Sequence, residues 1–261
     1  MNILDKIIEH KKAEVAAAKE KVTVAALQQT AFYTRQTLSL KQFLLDATKT
    51  GIIAEFKRKS PSKGMINGTA DVVEVTSAYA AHGASCLSVL TDAIFFGGSA
   101  ADLQRARVNA IPILRKDFII DEYQITEARA MGADVILLIA ACLSPERVKE
   151  LAVFAKSLQL EVLLEIHTEE ELAHICDAVE IVGINNRDLK TFAVDINKSV
   201  ALGKKIPAGK LKIAESGINS IDTICTFKNA GFHGFLIGEN FMKEPDPTIA
   251  FAAFVQQLKQ K

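Results

Sequence analysis

Several apolar runs in this 261-residue chain break off in side chains that can hold or move a proton. The stretch IIAEFKRKSPSKG, residues 52–64, passes from apolar residues into Glu55, Lys57, Arg58 and Lys59, then breaks at Ser60, Pro61 and Ser62. An apolar run bounded by a turn signal reads as a buried strand. Ionised side chains are almost never buried unpaired, so charges at its end must meet partners, solvent or a ligand. Side chains alternate along a strand, which places Ile53, Glu55 and Lys57 on one face and Ala54, Phe56 and Arg58 on the other. The pattern recurs. PILRKDF carries Lys116, LLEIH carries Glu165, GINNRDL carries Asn185 and Arg187, IAESG carries Glu215 and Ser216, and LIGEN carries Gly238 and Glu239. Lysines near other cations and partly desolvated have lowered pKa values, and buried carboxylates raised ones. Lys57, Lys59 and Lys116 beside Glu55, Glu165 and Glu215 are therefore expected to titrate as a coupled set, the composition that general acid–base chemistry near neutral pH requires. No Ser/His/Asp order is present, and His167, which alternation points opposite to Ile166, is given no catalytic role.

The elements that position these groups repeat. Apolar, β-branched runs at 52–56, 86–90, 111–114, 135–140, 162–166, 181–184, 211–214 and 234–237 alternate with helical segments. Asp71 with Glu74, Ser99, Ser144-Pro145-Glu146 and Thr168 with Glu171 mark helix starts, and Gly83, Gly132 and Gly231 mark stops. Units of about 26 residues with near-continuously apolar strands predict an α/β fold, a (β/α)8 barrel. A doubly wound open sheet is disfavoured because no GxGxxG follows the first strand. In such a barrel the C-terminal strand ends meet at one mouth, where the charged groups would converge. Ser216-Gly217 and Gly238-Glu239 read as short turns, with a brief extra helix over 239–243, where backbone N–H groups would receive a phosphate. Upstream, residues 2–19 show apolar positions at helical spacing, a polar connection follows, and Ser39 with Gln42 opens a helix over 40–47. Residues 1–50 are thus expected to form a helical extension packed on a barrel of residues 51–261, one domain overall.

Composition narrows the function classes. Lysine plus arginine and aspartate plus glutamate each number 31 and the pI is about 7.0, so nothing marks nucleic acid or an anionic membrane as a partner. The basic cluster at 57–63 suits a small anionic ligand. Cys86, Cys142, Cys176 and Cys225 are scattered without a CxxC, and no histidines stand at metal-ligand spacing. A cytoplasmic protein with reduced thiols and no metal site is expected. The N-terminus reads as a charged amphipathic helix rather than a signal peptide, and no apolar run approaches the length of a membrane span.

Taken together, IIAEFKRKSPSKG, SVLTD with FFGGS, PILRKDFI, LLEIH, GINNRDL, ESGI and LIGENFM, in that order, resemble the indole-3-glycerol phosphate synthase family of tryptophan biosynthesis. The resemblance implies a carbon–carbon lyase that needs no cofactor. Its substrate would be 1-(2-carboxyphenylamino)-1-deoxyribulose 5-phosphate, and its products indole-3-glycerol phosphate, carbon dioxide and water. It also implies roles. Lys116 matches the general acid for the carbonyl and Glu165 the base, while Lys57 and Glu55 match a pair able to carry the dehydration instead, so the division of labour stays open. Asn185 matches a residue that positions the reacting centre, and Glu215 and Ser216 line the floor. Ser216, Gly217 and Gly238 fall near the phosphate with Lys59 as counter-charge. Arg187, Ser60 and Pro61 fit the anthranilate end, and Phe96, Phe118, Leu137 and Leu189 fit a pocket for its ring. Glu239 stands where some relatives have Ser, and its backbone N–H is expected to serve with the carboxylate turned away. A monomer is expected. A phosphoribosylanthranilate isomerase and a non-catalytic metabolite-sensing barrel are the competing readings.

Overall fold

A computed structural model describes residues 3–188 and 193–261. Eight parallel strands close into one barrel: β1 Ile52–Phe56, β2 Cys86–Leu90, β3 Ile113–Lys116, β4 Val135–Ile139, β5 Glu161–Ile166, β6 Ile181–Asn185, β7 Leu211–Glu215 and β8 Gly234–Ile237. Each pairs with its chain neighbours, and β1 closes the ring by pairing with both β2 (Glu55 opposite Ser88) and β8 (Ile53 opposite Leu236). The expected (β/α)8 barrel is what forms. Alternation divides its apolar residues into two cores. Ile53, Leu114, Leu137, Leu163, Ile213 and Leu236 fill the interior, while Ile52, Ala54, Phe56, Leu87, Ile136 and Phe235 face the surrounding helices. Burying one such side chain stabilises the fold by about 1.5–3 kcal/mol.

The helices are α1 Ile3–Lys21, α2 Val24–Gln28, α3 Leu40–Leu45, α4 Val72–Ala81, α5 Ala100–Ala106, α6 Glu122–Met131, α7 Pro145–Ser157, α8 Ile196–Gly203, α9 Ile221–Asn229, α10 Glu239–Met242 and α11 Pro247–Leu258. Their starts follow the sequence signals: the side chains of Ser39, Asp71, Ser99 and Ser144 accept backbone N–H bonds of the first turn. Thr168 and Glu171 are the exception. Residues 170–174 form only a 3-10 turn, which starts from Glu169 with no side-chain cap, while the Glu171 carboxylate accepts the backbone N–H of His167. The short helix α2 lies in what reads as a polar connection, since five residues are too few to show a period. Among the described residues no helix is long and apolar enough to cross a membrane.

Two of the leading helices close the two ends of the barrel. Leu40 and Leu44 of α3 join the interior core at the N-terminal strand ends, held there by Ser39 Oγ donating to Glu161 Oε1 at 2.5 Å. Gly234 makes room for this plug, since a Cβ there would lie 2.8 Å from Leu44 Cδ2 and 2.4 Å from Ile213 Cδ1. At the opposite end α1 lies over the mouth, with Ile3, Leu4 and Ile7 against the cavity and Lys11 ion-paired to Asp92 and Asp117 just beyond β2 and β3.

Candidate active site

The C-terminal strand ends surround a cavity of about 300 Å³. Four charged groups converge on it from the odd-numbered strands: Glu55 of β1, Lys116 of β3, Glu165 of β5 and Glu215 of β7. The even-numbered strands supply small or apolar neighbours, Ser88, Leu137, Gly183 and Leu236. This division follows from the way alternate strands fill a barrel interior in layers. Gly183 is required here, because a Cβ on it would lie 2.1 Å from Glu215 Oε1.

Lys116 Nζ stands 3.6 Å from Glu165 Oε2 and 3.6 Å from Glu215 Oε2. Glu165 Oε1 accepts from Asn185 Nδ2 at 3.0 Å, and Asn185 Oδ1 accepts the Arg187 backbone N–H at 3.1 Å, which fixes the amide's orientation. A second pair stands beside them: Lys57 Nζ is 2.8 Å from Glu55 Oε1, and Ser88 Oγ donates to Glu55 Oε2 at 3.3 Å.

The electrostatics partly overturn the sequence expectation. Desolvation works against the Lys116 ammonium, but Glu165, Glu215 and Glu55 outweigh it and hold its pKa above the ordinary lysine value. Burial likewise disfavours the Glu165 and Glu55 carboxylates. Lys116, His167 and Asn185 overcome it for Glu165, as Lys57 and Lys116 do for Glu55, so both pKa values lie below the usual range. Only Glu215 behaves as expected. Burial and then repulsion from Glu165 push it up to about 8. The sequence reading weighed cation–cation proximity for Lys116, whereas the fold surrounds it with carboxylates.

At the β7 and β8 ends, Ser216 (φ 67°) and Gly217 (φ 69°) both take left-handed backbone conformations. A non-glycine residue held there is strained, and such strain gathers at functional sites. Asn186 Nδ2 donates to Ser216 O at 2.7 Å and braces the turn. A Cβ at Gly217 would lie 2.4 Å from Val194, and one at Gly238 would lie 2.6 Å from Glu55 Oε1. Glu239 opens α10, but its carboxylate is not turned away. It lines the cavity and reaches Arg187 Nη2 at 3.5 Å and Lys63 Nζ at 4.0 Å, because two cations face it across the mouth.

Of the expected substrate contacts, Ser60, Pro61, Phe96, Phe118, Leu137 and Arg187 line the cavity, with the Phe96 and Phe118 ring centroids 6.0 Å apart. Leu189 lies outside the described residues. Lys59 stands apart from the lining, since the chain leaves the line of β1 to pair Lys59 antiparallel with Met65, and its Nζ donates to Ile94 O at 3.0 Å. Lys243, just after α10, lines the cavity instead. Sequence reasoning missed Lys243, Leu236, Asn219 and the α1 residues Ile3, Leu4 and Ile7. The apolar stripe of α1 was visible, but nothing in a stripe names the surface it covers. His167 was also passed over, although alternation places it on the side of Glu165, and its Nε2 lies 3.3 Å from Glu165 Oε1.

Comparison with known proteins agrees with this geometry. The family model described as indole-3-glycerol phosphate synthase matches residues 4–254. Curated relatives bearing that name include one from Bacteroides thetaiotaomicron, 46% identical over 259 residues with 99% of each chain covered. Another, from a Polaromonas species, is 43% identical with 96% of this chain and 97% of the relative covered. A third, from Acinetobacter baumannii, is 42% identical with 98% and 96% covered. Among solved structures, one titled "Crystal structure of KGPDC from Streptococcus mutans" superposes with a TM-score of 0.60 at 14% identity over 80% of this chain and 97% of that one. One titled "Native KDPGal structure" gives 0.57 at 15% identity over 80% and 92%. At that identity these two share the fold alone. With a family model spanning nearly its whole length and relatives above 40% identity across it, the chain belongs to the indole-3-glycerol phosphate synthase family.

Proposed function

We propose that this chain converts 1-(2-carboxyphenylamino)-1-deoxyribulose 5-phosphate to indole-3-glycerol phosphate, carbon dioxide and water, with Lys116 as general acid and Glu165 as base. The observation that carries the assignment is the Lys116 ammonium standing 3.6 Å from both Glu165 and Glu215 on the cavity wall. The Glu165 and Glu55 carboxylates hold it protonated, so it is ready to give a proton to the ribulose carbonyl oxygen as the anthranilate ring carbon attacks. Carbon dioxide then leaves with its bond pair returned to the ring. In the dehydration that follows, Glu165 takes the proton from the new five-membered ring and Lys57 protonates the departing hydroxyl. Two protons are given and one is recovered, so each turnover takes one from solvent.

Asn185 holds Glu165, and Glu55 holds Lys57. Glu215, raised to about 8, adds no full negative charge below that pH and leaves the Lys116–Glu165 pair balanced. The turns at Ser216-Gly217 and Gly238-Glu239 receive the phosphate, with Lys243 nearby. Phe96, Phe118 and Leu137 hold the ring, and Ser60, Pro61 and Arg187 its carboxylate end. All these groups come from one chain, which supports a monomer as the working unit, and four free cysteines are in keeping with the cytoplasm.

The test is to mix the purified protein with the substrate and follow indole fluorescence. A rise that Lys116→Ala abolishes while calorimetry still finds substrate binding supports the reading. Tight binding with no rise in the unaltered protein would replace it with a metabolite-sensing barrel.

A further inference from the structure

His167 follows β5 directly and its side chain is only 8% exposed. Its Nε2 lies 3.3 Å from Glu165 Oε1 and its Nδ1 lies 3.4 Å from Glu171 Oε2, ion-pair distances at which neither ring nitrogen is aligned for a hydrogen bond among the described residues. The Glu171 carboxylate also accepts the His167 backbone N–H, so one acid grips this residue by both ring and main chain. Glu165 thereby has three neighbours from three strands or their extensions: Asn185 at 3.0 Å and His167 at 3.3 Å on Oε1, and Lys116 at 3.6 Å on Oε2. Two of them bear on one oxygen, which leaves Oε2 directed to the lysine.

We infer that His167 is a positioning residue whose imidazolium, clamped between Glu171 and Glu165, keeps the Glu165 carboxylate ionised and turned toward Lys116. The inference rests on the reading of Glu165 as base. Other polar groups face the pair. Lys116 and Asn185 stand across it on β3 and β6, the Lys116 ammonium opposing a charged ring from the far oxygen of Glu165, and Glu215 stands on β7. Cys142, after β4, is a neutral thiol whose pKa burial pushes up to about 12. His174, in the 3-10 turn, spends its ring nitrogens on the carbonyls of Glu171 and Leu143. Burial disfavours a charged His167, but the two carboxylates prevail and push it up to about 10. Conserving the charge on a buried imidazole in this way costs nothing to the reaction, because His167 need never release its proton. Its work is done through Glu165.

The first readout needs no variant. In protein labelled with nitrogen-15 at its five histidines, NMR should show one ring that stays imidazolium well above the ordinary midpoint of 6.5, toward about 10. That signal should vanish in His167→Gln, and its midpoint should fall in Glu171→Gln. A His167 ring that titrates near 6.5 overturns the inference.

Kinetics supply the second readout. His167→Gln should lower kcat by roughly 10–100-fold with KM little changed, the size of loss found when a group that orients a working side chain is removed. The acid limb of kcat/KM should move up toward neutral pH, since Glu165 loses a cation that favours its ionised form. Loss of thermal stability with an unmoved acid limb would show a structural role only and overturn the inference. Glu165→Gln run in parallel separates the two claims. If that variant keeps turnover, the base reading fails, while the NMR midpoint still decides whether the ion pair exists.

Discussion

Two lysines of this chain stand between two carboxylates at the same end of the barrel, and they are built for opposite purposes. Lys11 on α1 is fully buried, with Nζ 3.0 Å from Asp92 Oδ2, 2.9 Å from Asp117 Oδ1 and 3.0 Å from Glu14 Oε1. Its partners are further occupied: Asp92 Oδ1 accepts the backbone N–H groups of Phe95 and Phe96, and Asp117 Oδ2 accepts from Thr91 and Arg115. Lys116 is 16% exposed, toward the cavity, and its two carboxylates stay at 3.6 Å. Among the described residues both oxygens of Glu215 lack a hydrogen-bond partner, against Asp92 Oδ2 alone in the Lys11 cluster, where the lysine ammonium sits 3.0 Å away. Unmet hydrogen-bonding capacity in a buried group costs about 1–3 kcal/mol, and a fold keeps it where a ligand will use it. The closed cluster clamps α1 over the mouth. The open one awaits the substrate. Asp117 follows Lys116 directly in sequence, so a single step along the chain crosses from chemistry to architecture.

The largest effect that would break this contrast concerns turnover. Lys116→Met should reduce kcat by roughly 10³-fold, the middle of the range for a positioned proton donor, while the melting temperature changes little. Lys11→Met should do the reverse. Leaving Asp92 and Asp117 buried without their cation should cost about 3–5 kcal/mol of stability. Chemical denaturation of both variants beside an indole fluorescence assay checks the pair. Turnover losses of similar size, with stability intact in both, would mean that Lys11 belongs to the chemistry.

A second comparison uses pH. Asp117 has a depressed pKa, because Arg115 and Lys11 overcome its burial, so its contribution is present above the ordinary 3.8 and is lost as pH falls toward the lowered value. Glu215 has the opposite sign. Raised to about 8 from 4.5, it makes the folded state bind more protons than the unfolded one between those values, so stability declines as pH rises through that window. Glu215→Gln should flatten this decline and raise the melting temperature at pH 8 by roughly 2–4 °C per kcal/mol recovered, with no gain at pH 4. Urea midpoints measured across pH 4–9 decide the matter. A parallel shift at every pH would show that Glu215 does not titrate in the window.

How much of this was legible in the sequence follows from which interactions are local. The strand ends were readable because alternation within one strand decides which side chains face inward, and Glu55, Glu165 and Glu215 all obey it. The caps at Ser39, Asp71, Ser99 and Ser144 are contacts within three residues, so they too were visible. What stayed hidden depends on partners far along the chain. Lys11 meets Asp92 and Asp117 far along the chain, and the sign of the Lys116 shift depends on β5 and β7. The Thr168–Glu171 signal announced a helix where only a 3-10 turn forms, and the carboxylate's bond to the His167 backbone N–H was not part of that signal.

The smallest effect sharpens the comparison with a third lysine. Lys59 carries the same charge as Lys116 and Lys11 and sits in the most basic stretch of the chain, but its Nζ has only the Ile94 carbonyl at 3.0 Å and lies off the cavity wall. A side chain so placed is neither a clamp nor a contact, and exposed substitutions of that kind usually fall within about 0.5 kcal/mol, or roughly twofold in a rate or binding constant. Lys59→Ala should accordingly leave kcat, KM and stability nearly unchanged. Lys243→Ala, on the cavity lining where the proposed function puts the phosphate, should raise KM several times more than Lys59→Ala does while sparing kcat, because it removes attraction felt equally by bound substrate and transition state. A KM rise in Lys59→Ala as large as in Lys243→Ala would require Lys59 to leave Ile94 and swing inward once substrate binds, making the basic stretch a third, movable kind of lysine site.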